Sequence, residues 1–148
     1  MRPSDSDDVD RFYAIDELDD LLPLADAVVI TLPLTAQTEG LIDAKRIRAI
    51  KRGATLVNIG RGPVLNEPAL IQALRDGHLA GAALDVFATE PLPANSPLWK
   101  LPNVLISPHT AALSTRENER IVQLFTENLR RFRAGQELLS RVDPERLY

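Results

Sequence analysis

Three side chains able to do acid–base and anion chemistry stand just past short apolar runs: Arg61 in LVNIGRGPVL, Glu90 in LDVFATEP, and His109 in VLISPHT. An arginine between two glycines can clamp a carboxylate through two parallel hydrogen bonds. A histidine can exchange a proton near neutral pH, and a glutamate beside it can orient the ring and stabilise its charged form. Together the three suit reduction of a keto group that neighbours a carboxylate. Taken singly, each has a plainer reading, as a surface arginine, a turn glutamate and a solvated histidine. The set gains meaning only if the fold brings all three to one edge.

The elements that would do so follow from periodicity. AVVITL at 27–32, TLVNIG at 55–60, AGAALDV at 80–86 and VLIS at 104–107 are apolar runs without polar alternation, as expected of parallel strands covered on both faces. Between them lie a helix from an Asp43 cap to about Lys51, with Gly53 just past it, and a helix capped by Asn66. The second carries Leu70, Ile71 and Leu74 as its inner stripe and stops at Asp76-Gly77. A Pro-rich loop spans Pro91 to Pro102. The last helix is predicted to start at a Ser114/Glu117 capping box, to run through Ile121, Leu124, Phe125, Leu129 and Phe132, and to end at Gly135. Ahead of these, FYAI at 12–15 reads as a short strand, and Asp16 as the cap of a helix through Leu24 with Leu18, Leu21 and Leu22 inward.

Strand and helix alternating at this spacing means a doubly wound α/β sheet with right-handed crossovers. In such sheets ligands sit outside the carboxyl ends of the strands. Those ends carry Pro33 and Thr35, Gly60-Arg61-Gly62, Asp85 with Glu90, and His109. Asp85, on a strand of otherwise small and apolar residues, is either a cofactor contact or a structural hydrogen-bonding group. His78, after Asp76-Gly77, reads as a surface residue.

Composition narrows the classes. The 148 residues, 45% hydrophobic and 26% charged, suit one globular unit, and a net charge of −4 disfavours a nucleic-acid surface. With no cysteine and two histidines, neither a disulfide framework nor a metal site has support. No run is long enough for a membrane span, and the cytoplasm is the expected compartment. Residues 1–10 read as a disordered tail, 11–135 as the folded unit, and 136–148 as a C-terminal tail.

LVNIGRGPVLNEPALIQAL, GAALDVFATEPLP and SPLWKLPNVLISPHTAA, in that order, resemble the signature blocks of the D-isomer-specific 2-hydroxyacid dehydrogenases. The match runs from about Leu18 onward and is most similar to the glyoxylate/hydroxypyruvate reductase branch. The resemblance implies NAD or NADP as cofactor, and hydride transfer between it and a 2-keto acid or its D-2-hydroxy acid. It implies that Arg61 holds the substrate, that His109 is the acid/base, and that Glu90 supports His109 in its charged form. It places Pro33, Thr38, Ile59, Gly60, Arg61, Asp85, His109 and Ala111 along the dinucleotide groove, with Asp85 toward the nicotinamide carboxamide. Arg2-Pro3 resembles the segment that meets an NADP 2′-phosphate. A homodimer is implied for the full-length protein.

The family's opening strand, G-x-G-x-x-G turn and helix, which hold the pyrophosphate, are not among these residues, nor is its substrate domain. The expectation is therefore an N-terminally truncated, partial dinucleotide-binding domain: a Rossmann-like sheet lacking its first two strands, with four strands left and a long C-terminal helix. In the family the missing strands separate FYAI from AVVITL, so AVVITL should become an apolar edge and FYAI should lack a partner. Such a chain should be inactive or weakly active by itself, and marginal or self-associating. A dinucleotide-sensing protein-binding module and a decayed remnant are the alternative readings.

Overall fold

The computed structural model describes residues 9–144. Most of the tail at 1–10, the Arg2-Pro3 segment and residues 145–148 lie outside them. Four parallel strands, β1 (Ala27–Ile30), β2 (Thr55–Asn58), β3 (Gly81–Leu84) and β4 (Val104–Ile106), form one sheet in the order β1-β2-β3-β4. Each lies where an apolar run stands in the sequence, trimmed at its ends, and β1 is an outer strand as expected. Register is regular, with Val28 opposite Leu56, Leu56 opposite Ala82, and Ala82 opposite Val104.

The helices are α1 (Leu18–Leu21), α2 (Ala44–Ala49), α3 (Glu67–Arg75) and α4 (Glu117–Arg133). The Asp43 side chain accepts from Arg46 N–H at 2.8 Å, and Asn66 from Ala69 N–H at 3.0 Å. Both caps satisfy donors that a helix start leaves unpaired. Leu22, Ile47, Ile50, Leu56, Leu70 and Leu79 are sealed in the core, with Ile30, Leu74, Ala82 and Leu84 around them.

That core covers one face of the sheet. On the other, Val29, Val57, Ala83 and Leu105 form a row across four strands; Val29 is 57% and Leu105 68% exposed. The expectation of strands covered on both faces is thus corrected: uninterrupted apolar residues report that a face can be buried, not that this chain supplies the cover. The same holds for α4. It buries none of its residues, and Phe125, Leu129 and Phe132 are exposed.

Three further expectations change. FYAI is not a strand: Phe12, Tyr13 and Ala14 lie outside any element, and Ile15 opens a 3-10 turn. Among the described residues it pairs with no strand. Asp16 caps nothing; Glu17 accepts from Ala14 N–H at 2.7 Å, and the segment to Leu24 alternates 3-10 and α turns as Pro23 interrupts it. At α4 the capping box does not form, since Ser114 Oγ accepts from Arg116 N–H and Arg116 is the cap residue. Gly135 does stop α4, with φ at +66°. Beyond it the chain turns back, and Asn128 exchanges two hydrogen bonds with the Leu139 backbone, at 2.8 and 3.1 Å. His78 keeps a partly exposed place at the surface, with its Nε2 2.9 Å from the Ile50 carbonyl.

Candidate active site

The turn after β2 carries Arg61, and its shape is set by neighbours that tolerate no side chain. A Cβ at Gly60 would sit 2.6 Å from the Leu32 carbonyl oxygen, and one at Gly62 only 1.8 Å from that of Phe87. The two glycines therefore let the turn lie directly against two backbones, with no left-handed φ required. Beneath it Asn58, with no exposed surface, accepts from Gly60 N–H at 3.1 Å and donates to the Arg61 carbonyl at 3.2 Å. Arg61 itself is exposed, and its Nη1 donates to the Gly60 carbonyl at 2.7 Å.

From the next strand the chain runs through buried Asp85, Val86 and Phe87 to Glu90. Glu90 Oε1 accepts from Phe87 N–H at 2.9 Å, and Oε2 lies 2.8 Å from His109 Nδ1. The Phe87 N–H holds the Glu90 carboxyl below the usual carboxylate range. Burial opposes this, while the His109 ring and the Arg61 charge reinforce it. Arg61, Glu90 and His109 are thus brought together electrostatically from three different strand ends.

His109 has a φ of +56°, a conformation that residues with a Cβ adopt sparingly and that structures hold chiefly where the surroundings impose it. Here Asp85 does so. Its two carboxylate oxygens accept from Thr110 N–H at 2.8 Å and Ala111 N–H at 2.9 Å. Burial works to raise the Asp85 carboxyl, but the Ser107 hydroxyl and these two N–H groups prevail and hold it below the usual range. Of the two readings of Asp85, the hydrogen-bonding one describes what its carboxylate does here.

The other groove candidates occupy the same edge. Pro33 and Thr38 follow β1, where Thr38 Oγ1 donates to the Pro33 carbonyl at 2.6 Å and accepts from Thr35 N–H at 2.8 Å, so its hydroxyl shapes the loop. Ile59 is exposed and Gly60 buried after β2, while Ala111 follows β4 with its N–H held by Asp85. Sequence reasoning passed over Asn58 because it lies inside an apolar run. The signal was present, as an amide in TLVNIG where a strand core otherwise admits only apolar residues.

Comparison with known proteins shows the family and the fold. The family model described as D-isomer specific 2-hydroxyacid dehydrogenase, NAD binding domain, matches residues 1–111. A glyoxylate reductase of Thermofilum pendens is 47% identical over 113 residues, which are 76% of this chain and 33% of that protein. A D-isomer specific 2-hydroxyacid dehydrogenase from Xanthobacter autotrophicus, crystallised with NADPH and MES, superposes with a TM-score of 0.91 at 44% identity, covering 99% of this chain and 60% of that one. An NADPH-dependent glyoxylate/hydroxypyruvate reductase from Sinorhizobium meliloti gives a TM-score of 0.86 at 34% identity, covering 92% and 44%. The chain spans less than half the length of the curated relatives it matches. It belongs to the D-isomer specific 2-hydroxyacid dehydrogenases and carries part of their NAD-binding domain.

Proposed function

We propose that this chain supplies the acid–base and carboxylate-binding residues of an NAD(P)-dependent reductase of 2-keto acids, of the glyoxylate/hydroxypyruvate type. The observation that carries the reading is the 2.8 Å contact between Glu90 and His109, with the Arg61 charge acting on the same carboxylate at the carboxyl edge of a parallel sheet. Glu90 occupies Nδ1 of the imidazole, which leaves Nε2 to give a proton to the keto oxygen. Arg61 holds the adjoining carboxylate by two-point hydrogen bonding.

The residues present fit the nicotinamide end of the cofactor. Ile59, an apolar side chain left exposed at the end of β2, is a surface for a flat ring, with Asp85 at the end of the neighbouring β3 and His109 and Ala111 after β4, one strand further. When bound, the nicotinamide supplies or accepts the hydride. Pro33 and Thr38 line the groove further along. No G-x-G-x-x-G occurs among the seven glycines, so these residues offer no glycine-rich grip for the pyrophosphate, and the chain by itself is inactive or weakly active. A cysteine-free chain suits the cytoplasm, and the full-length protein is a homodimer by family likeness.

The test is oxidation of NADH and NADPH in the presence of glyoxylate, hydroxypyruvate and pyruvate. Glu90→Gln should lower the rate of the reduction, because the imidazole loses the carboxylate that holds its Nδ1. An unchanged rate removes Glu90 from the mechanism.

A further inference from the structure

A fully buried amide in an otherwise apolar row asks for a reason. Asn58 lies between Ile30 and Leu84 in the sheet register, with Ile106 one strand beyond. A leucine there would match its neighbours and avoid taking a polar group out of water. The Asn58 side chain makes no hydrogen bond that holds strand to strand. Its oxygen takes Gly60 N–H at 3.1 Å and its nitrogen gives to the Arg61 carbonyl at 3.2 Å, so the amide grips the backbone on both sides of the Gly60–Arg61 peptide. The Gly60 carbonyl of that same peptide accepts from Arg61 Nη1 at 2.7 Å. One buried side chain thereby fixes the peptide on which the guanidinium rests. Gly62, pressed against Phe87, ties the far end of the turn to the residue whose N–H holds Glu90.

We propose that Asn58 is a positioning residue for Arg61: it acts on the keto acid through the arginine, without touching it. The inference rests on the reading of Arg61 as the carboxylate-binding residue. Its cost in apolar burial is offset by a guanidinium aimed from the core. A displacement of about 1 Å in such a group costs a rate on the order of 10²-fold.

The experiment compares wild type, Asn58→Leu, Arg61→Lys and the double variant in the protein as its organism makes it. In steady-state kinetics Asn58→Leu should raise KM for hydroxypyruvate by about 10-fold or more while KM for NADPH stays within about twofold. Added to Arg61→Lys it should raise KM by less than about threefold further, because both act through one group. Equal changes in both KM values, no change in either, or full multiplication of the two effects overturns the proposal. If Arg61→Lys leaves KM for the keto acid unaltered, it is the reading of Arg61 that fails. A crystal structure of Asn58→Leu then decides the rest: residues 59–62 should shift by about 1 Å or more over an unmoved sheet, and an unmoved turn refutes the amide's role.

Should Asn58→Leu fail to fold, Asn58→Asp gives an independent readout. A protonated carboxyl can accept from Gly60 and donate to Arg61 as the amide does, whereas an ionised one can only accept. KM for hydroxypyruvate relative to wild type should therefore rise with pH. A pH-independent ratio contradicts the proposal.

Discussion

At the scale of single residues, the site is held by carboxylates that do structural work for their neighbours. Asp85 grips the His109 loop with both oxygens. In Asp85→Asn one of those acceptors becomes an NH2 group facing an N–H, which leaves a partly buried donor unpaired at a cost of up to about 1–3 kcal/mol. The variant should melt at lower temperature, and the His109 resonances should broaden as its left-handed backbone is released. An unchanged melt would show that the loop needs no such grip. The same carboxylates set an acid limit. Asp85 and Glu90 both have folded pKa values below the usual range. Their contribution to stability is fully present above the unfolded values, roughly pH 4, and is lost as pH falls through the folded ones. Stability measured by denaturant should therefore fall below about pH 4, and less steeply in Asp85→Asn than in wild type.

At the scale of elements, the strand ends are what position the chemistry, and the turn after β2 is the most constrained. Gly62→Ala would drive a Cβ to 1.8 Å from the Phe87 carbonyl oxygen. Relief requires backbone movement, with a cost of about 1–3 kcal/mol or more, and the movement carries Arg61 with it. Loss of stability alone, with substrate affinity kept, would show that the turn's placement is not what Arg61 depends on. Much of this level was legible in the sequence. Asp43 and Asn66 are residue types that favour a helix start and do cap one here, and Gly60-Arg61-Gly62, Asp85 and His109 stand where apolar runs end. Contacts made at a distance were not. The left-handed φ of His109 depends on Asp85, 24 positions earlier, and Asn58 resembles a strand residue until its partners are seen. FYAI misled because β-branched and aromatic residues describe a strand's surface rather than supply a neighbouring edge.

At the scale of the molecule, the sheet is finished on one face only. Val29 and Leu105 on the sheet, and Phe125, Leu129 and Phe132 on α4, leave apolar side chains in water, and β1 is an outer strand. Exposed apolar faces and long edges associate. The chain by itself should sediment with a mass that rises with concentration, and Leu105→Lys should reduce that rise. A cooperative, high-melting monomer would contradict this.

The most direct test of the reductase reading is to substitute His109. With glyoxylate or hydroxypyruvate and NADPH, His109→Ala should lower the turnover of the cofactor-competent protein on the order of 10²- to 10⁴-fold, with NADPH binding retained. Full rate in His109→Ala would contradict the assignment of His109 as proton donor, and with it the proposed chemistry of this site.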